Sequence, residues 1–140
     1  MTETHEGAQA ARQIEAVLRA WSEAAATKDA RNMRRFYADD VVVFDIFPPL
    51  AHQGADGHCA VWQGWFDKLD GPISFELQNA VLQVNGDLGT VFCITRIDIG
   101  ETHDLVRTTL LLSKVNEDWL IGHVHTSVPL PVELVPSQLH

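Results

Sequence analysis

The stretch WLIGHVHTSVP, residues 119–129, carries the most structural information in the chain. Its apolar and β-branched residues predict a β-strand, in which alternate side chains point to the same face. One predicted face changes from apolar to polar along the strand and consists of Trp119, Ile121, His123, His125 and Ser127. The opposite face is apolar or β-branched throughout. This gradient predicts a strand that lines a pocket with an apolar floor and a polar mouth.

Composition restricts the class of protein. The 140 residues are 46% hydrophobic and 21% charged, as expected of a single globular domain spanning 1–140 with its core in about residues 10–130. The net charge of −9 opposes binding to nucleic acid or to an anionic membrane surface. No apolar stretch is long enough for a membrane span, and the N-terminus is polar and acidic. We therefore expect a cytoplasmic protein.

The order of predicted elements indicates an α+β fold. A helix with one apolar face covers Ile14 to Ala25, a short helix follows the predicted cap Asp29, and a third begins near Asp56. A buried strand at 41–47 separates the second helix from the third. From residue 75 onward the chain reads as strands joined by turns, with a bulge predicted near Asn79, where the apolar residues change parity. Three N-terminal helices would thus pack on one face of a curved, mostly antiparallel sheet.

Three segments resemble the nuclear transport factor 2-like superfamily, and more narrowly its SnoaL-like and ketosteroid-isomerase-related branch. They are FYADDVVVFD at 36–45, Pro48-Pro49-Leu50 with Gly54-Ala55, and residues 119–129 with their His-x-His-x-Ser-x-Pro core. The last two are typical of many bacterial members. The resemblance implies a conical α+β barrel of the cystatin-like type, with an apolar cavity for a small molecule and no cofactor. It also implies a homodimer through the outer sheet face, and the apolar residues Leu120, Val124 and Val128 of the last strand fit such an interface.

Asp45 lies where ketosteroid isomerases carry their general base. A lone carboxylate between Phe44 and Ile46 would be desolvated, which makes it a stronger base. Alternatively, Asp45 only ends a strand or pairs with an arginine. The positions of the isomerase's catalytic tyrosine and protonated aspartic acid hold Trp21 and Arg107, so steroid isomerisation itself is not expected.

Arg107 and the two histidines of the last strand each allow more than one interpretation. Arg107 either binds a substrate carboxylate or oxyanion, or forms a structural pair with Asp45. His123 and His125 are predicted to relay protons or to satisfy a buried polar site. With Asp45 they would also match a two-histidine, one-carboxylate metal set, but the family pattern does not imply a metal and none is predicted.

The third helix contributes aromatic side chains, of which one tryptophan is expected to contact ligand. The residues predicted to bind substrate are Trp21, Phe47, Trp62, Trp65, Arg107 and Ser127. His52, His58 and His103 are predicted to be solvated.

Two functions remain open at this point. The first is an acid/base enzyme for isomerisation, cyclisation or dehydration of a small molecule, with Asp45 as base and His123 or His125 as proton relay. In it, Arg107 with Trp21 polarises a substrate oxygen. The second is a non-catalytic ligand-binding or dimerisation domain in which the same residues form a satisfied polar cluster.

Overall fold

The computed structural model describes residues 5–139. In this part of the chain two α-helices and six β-strands form one α+β unit. The helices are α1 (His5–Ala26) and α2 (Ala55–Phe66), and the strands are β1 (Tyr37–Phe44), β2 (His52–Gln53), β3 (Ile73–Asn85), β4 (Leu88–Ile99), β5 (Thr102–Val115) and β6 (Asp118–Ser127). Neither helix is long and apolar enough to cross a membrane.

The six strands form a single sheet in the order β2-β1-β6-β5-β4-β3. All neighbouring pairs are antiparallel except β1 and β6, which are parallel. The last strand of the chain is therefore a central strand, with β1 on one side and β5 on the other. The side chain of Ile14 from α1 is completely buried together with those of Leu110 and Ile121 from the sheet. We call the face that carries these buried residues the inner face, and the opposite one the outer face.

One of the three predicted helices is not an α-helix. The short second helix is a pair of 3₁₀ turns at Ala30–Asn32 and Arg34–Phe36, whereas α2 follows β1 in the predicted order. Asp29 caps the first 3₁₀ turn as predicted, because its carboxylate accepts a hydrogen bond from the Arg31 amide. The predicted cap Asp56 lies inside α2, which begins after Gly54, and its carboxylate accepts from Arg34 Nε at 2.8 Å.

One bulge was predicted correctly and another was not. The register between β3 and β4 shifts between Gln78 and Val81, and Asn79 has a φ of 55°, which confirms the bulge expected there. A second shift occurs in β6, where Ile121 lies opposite Leu112 and His123 lies opposite Leu111, so Gly122 has no partner on β5.

The bulge at Gly122 reverses the faces of β6. Before it, Trp119 and Ile121 are buried on the inner face. After it, the inner positions are Val124, Thr126 and Val128, and His123, His125 and Ser127 lie on the outer face. The prediction that the histidines share a face with Trp119 was therefore wrong, because one unpaired residue shifts the two-residue period by one. Val124 and Val128, assigned to a dimer interface, face inward.

Candidate functional site

A cavity of about 390 Å³ lies between the inner face of the sheet and the two α-helices. Its walls are mostly apolar: Trp21 comes from α1, Trp62 and Trp65 from α2, and Val43 and Val124 from the sheet. A cavity of this size and composition suits a small organic ligand. Two carboxylates line it, of which Asp45 is half-buried and Asp104 is exposed.

Asp45 is held at the end of β1 by the parallel pairing with β6. Phe44 lies opposite His125, which brings the next residues, Asp45 and Thr126, together inside the cavity. Asp45 Oδ1 accepts hydrogen bonds from Thr126 Oγ at 3.1 Å and from the Ile46 amide at 2.7 Å. Asp45 Oδ2 has no protein partner within the described part of the chain, so it is available to a ligand.

His58 forms part of the wall on the α2 side and is only 3% exposed. Trp62 Nε1 donates to His58 Nε2 at 2.9 Å, which places the imidazole proton on Nδ1. Within residues 5–139, His58 Nδ1 has no hydrogen-bond partner. Burial lowers the pKa of His58 from 6.5 to about 4, because it disfavours the charged imidazolium, so the side chain is neutral near pH 7.

The indole of Trp21 is linked to His58 through the side chain of Tyr37. Trp21 Nε1 donates to Tyr37 Oη at 2.9 Å, and the Tyr37 ring packs edge-to-face on His58 with 4.9 Å between centroids. Tyr37 is 2% exposed, and burial raises the pKa of its phenol well above the ordinary value. Because the Trp21 N–H is bonded to Tyr37, Trp21 meets the cavity mainly as an apolar ring.

His58 was predicted to be solvated, and this prediction was wrong. The sequence did contain the signal: His58, Trp62 and Trp65 are spaced i, i+4 and i+7 and therefore share one helix face. The tryptophans were assigned to that face, but the histidine at its N-terminal end was not. Thr126 was missed for a different reason: a continuous strand without the bulge at Gly122 would place its side chain on the outer face.

The structure brings only part of the predicted site together. The cavity is lined by Asp45, Trp21, Phe47, Trp62 and Trp65. The other predicted residues, Arg107, His123, His125 and Ser127, lie on the outer face of the sheet.

The outer-face residues make contacts among themselves. Arg107 Nε donates to Ser127 Oγ at 3.0 Å, and His123 Nδ1 lies 2.7 Å from the Val42 carbonyl oxygen. Both imidazoles pack edge-on against the ring of Phe44, with centroid distances of 4.8 and 5.6 Å. The alternative pair of Arg107 with Asp45 is therefore not formed, since the sheet separates the two side chains. Nor do three potential metal-binding side chains come together anywhere in residues 5–139.

Comparisons with known proteins agree with this architecture. A protein of unknown function of the NTF2-like class from Pseudomonas putida has a TM-score of 0.85 at 26% identity, over 90% of this chain and 91% of the other. A candidate dehydratase of the NTF2-like family from Streptomyces avermitilis has a TM-score of 0.77 at 19% identity, over 88% and 98% of the two chains.

A candidate association domain of calcium/calmodulin-dependent protein kinase II from Xanthomonas campestris has a TM-score of 0.75 at 16% identity, over 86% and 89%. The last two likenesses establish the fold alone. No curated protein matches the sequence. A family model described as the SnoaL-like domain matches residues 14–131, which is most of the chain. The protein therefore belongs to the SnoaL-like domain family, within the NTF2-like superfamily.

Proposed function

We propose that this protein is an acid/base enzyme that removes a proton from the carbon next to a carbonyl group of a small apolar substrate. The observation that carries the proposal is the Asp45 carboxylate, fixed through Oδ1 and open at Oδ2, inside an apolar cavity. Such a carboxylate is a suitable general base, because its position is fixed and the cavity walls around it are mostly apolar. The likeness to a candidate dehydratase is consistent with this chemistry.

In the proposed reaction Asp45 Oδ2 takes the α-proton, and the electron pair of the broken C–H bond moves into an enolate. The neutral imidazole of His58 is the donor suited to the carbonyl oxygen, since its Nδ1–H has no acceptor among residues 5–139. A buried donor without a partner costs about 1–3 kcal/mol, which a ligand oxygen would offset. If the substrate carries a β,γ-double bond, the resulting dienolate takes the proton back at the γ-carbon and the double bond moves into conjugation, giving an isomer. If it carries a β-hydroxyl, that group leaves with the proton as water, giving an α,β-unsaturated product.

This assignment moves the polarising role from one residue to another. Arg107 was expected to polarise the substrate oxygen, but it lies on the outer face and donates to Ser127. His58 lines the cavity from α2 and is uncharged near pH 7. It would therefore polarise a carbonyl group through a hydrogen bond rather than through a full charge.

Proton abstraction is testable without knowing the natural substrate. 1-Tetralone, a bicyclic ketone with exchangeable protons at C2, is incubated in D₂O with the protein, and loss of the C2 proton signal is followed by NMR. We expect the wild type to accelerate exchange. A general base contributes about 10²–10⁴-fold, so Asp45→Asn should reduce the acceleration at least 100-fold.

The matched control is Asp40→Asn, which changes an exposed carboxylate in β1, the strand that precedes Asp45, and should leave exchange unaltered. Exchange that is equally fast in Asp45→Asn and wild type would refute the base assignment. Circular dichroism of each variant shows whether the fold is retained.

A non-catalytic binding and association module is the second candidate function. The observation in its favour is the outer face, where exposed apolar side chains such as Phe44 and Phe92 offer a surface for association. The likeness to a candidate association domain is consistent with it. Saturable binding of 1-tetralone without any acceleration of proton exchange would favour this second function.

A further inference from the structure

A band of polar side chains crosses the otherwise apolar inner face of the sheet. It starts at Asp45 and Thr126, continues with Thr108 of β5, and ends at Thr95 and Cys93 of β4. The register places Thr108 directly opposite Thr126 and also opposite Cys93, so the band runs across three neighbouring strands. Thr126 Oγ bonds Asp45 at 3.1 Å, the Thr95 and Thr108 hydroxyls are 2.8 Å apart, and Cys93 Sγ lies 3.9 Å from Thr95 Oγ.

The hydroxyls of Thr95 and Thr108 keep hydrogen-bonding capacity that residues 5–139 do not use. Two hydroxyls together offer two protons, and the bond between them uses one. The remaining proton has only the sulfur of Cys93 within reach in the described structure, and a thioether or thiol sulfur is a weak acceptor. Thr95 and Thr108 are 6% and 3% exposed, and both line the cavity.

Packing alone does not explain these two hydroxyls. The neighbouring inner residues of β5 are Val106 and Leu110, and valine has the same shape as threonine and a comparable preference for strands. Burying a hydroxyl carries a desolvation penalty that valine avoids, and the mutual hydrogen bond offsets it only in part. A polar group on the ligand would complete the set.

We propose that Thr95 and Thr108 form a second anchoring subsite, which binds an oxygen function at the edge of the substrate remote from Asp45. This proposal deepens the proposed function, on which it rests for the first anchoring point. Asp45 follows β1, and β6 lies between it and Thr108 of β5. Adjacent strands are about 4.8 Å apart, so the two anchoring points are separated by roughly 10 Å or less. The substrate class is therefore a rigid apolar ring compound with oxygen functions at two opposite edges.

Binding selectivity tests the subsite directly. The probes are 2-naphthol and 2,6-dihydroxynaphthalene, which share one ring system and differ by one hydroxyl. Their dissociation constants are measured by fluorescence titration. The wild type should bind the diol about five-fold more tightly, as one additional hydrogen bond predicts. The double variant Thr95→Val/Thr108→Val should bind both probes with equal affinity.

Two further variants serve as controls. Thr109→Val removes a hydroxyl from the adjacent residue of β5, which is exposed on the outer face, and should keep the five-fold preference. Thr108→Ser retains a hydroxyl and should keep most of the preference that Thr108→Val loses, even if the double variant folds poorly. A preference that persists in Thr108→Val, or a wild type that binds both probes equally or neither, would overturn the subsite.

The outcome separates this proposal from the proposed function. If 1-tetralone exchange is absent but the selectivity for the diol depends on Thr108, the cavity binds dioxygenated rings without catalysis and only the enzyme assignment fails. If exchange depends on Asp45 but selectivity does not depend on Thr108, only the second subsite fails.

Discussion

His58 shows at the scale of a single residue how burial sets a protonation state. Its pKa is lowered from 6.5 to about 4, chiefly by desolvation, with the negative charge of Asp45 opposing this effect and His52 adding to it. Above pH 6.5 the imidazole is neutral in both the folded and the unfolded chain. Between pH 6.5 and 4 the unfolded chain binds a proton that the folded protein does not, so acid removes stability.

We expect this difference to lower the free energy of unfolding by about 2 kcal/mol at pH 5 relative to pH 7.5. Urea unfolding of wild type and His58→Gln at both pH values measures it. The variant should be less stable at pH 7.5, because it loses packing, but should lose less stability on acidification. Equal pH dependence in the two proteins would show that His58 takes up a proton readily in the folded state.

The bulge in β6 shows at the scale of an element why the sequence predicted some faces and not others. In β3 the apolar residues change parity near Asn79, and this change revealed the bulge. In β6 both parities hold apolar residues, so a continuous strand and a bulged one fit the pattern equally well. A glycine within a strand is a common mark of a bulge, and Gly122 was the available signal.

The helices were more predictable than the last strand, because a 3.6-residue period needs no partner to set it. The faces of α1 and α2 correctly placed Trp21, Trp62 and Trp65 toward the sheet. The face of a strand, by contrast, depends on its pairing, which sequence spacing does not record. The polar residues His123, His125 and Arg107 were assigned to the pocket for that reason.

Packing of α1 against β4 gives a prediction at the same scale. Gly89 is buried, and a Cβ added there would lie 2.6 Å from Ile14 Cδ1, which is too close for two carbon atoms. Since Ile14 is itself fully buried, Gly89→Ala should lower the free energy of unfolding by about 1–3 kcal/mol. Denaturant unfolding measures this change.

Gly122→Ala is the matched control, because its added Cβ would meet only the Leu111 carbonyl oxygen, at 3.9 Å. It should change stability much less than Gly89→Ala. If both substitutions have equally small effects, Ile14 adjusts without loss of packing. If both have equally large effects, the bulge requires glycine.

At the scale of the whole molecule, the outer face carries a row of side chains in register across five strands. The row consists of Val81, Phe92, Thr109, His125 and Phe44. Phe92 is 51% exposed, and Val81 and Phe44 are each 41% exposed. We propose that this row, rather than the inward-facing Val124 and Val128, forms the interface of a homodimer.

Self-association should therefore depend on Phe92. Phe92→Glu replaces the most exposed aromatic side chain of this row by a charged one and should shift the protein toward monomer in analytical ultracentrifugation. Ala60→Glu, at an exposed position of α2, adds the same charge elsewhere and should leave the mass distribution as in the wild type. An unchanged distribution for Phe92→Glu would place the interface on another surface or show that there is none.

The parallel pairing of β1 with β6 also determines when the site comes into existence. Asp45 and Thr126 are 81 residues apart in the chain, and the strand that carries Thr126 is inserted between β1 and β5. During synthesis on the ribosome, every other strand has emerged before β6, and until then no strand pairs β1 with the β3–β5 meander in the observed sheet order. A truncated chain that ends near residue 117 would lack both the strand at the centre of its sheet and the hydroxyl that holds the Asp45 carboxylate. The sheet and the proposed general base are thus completed in one late step, which would withhold the proposed acid/base activity from unfinished chains.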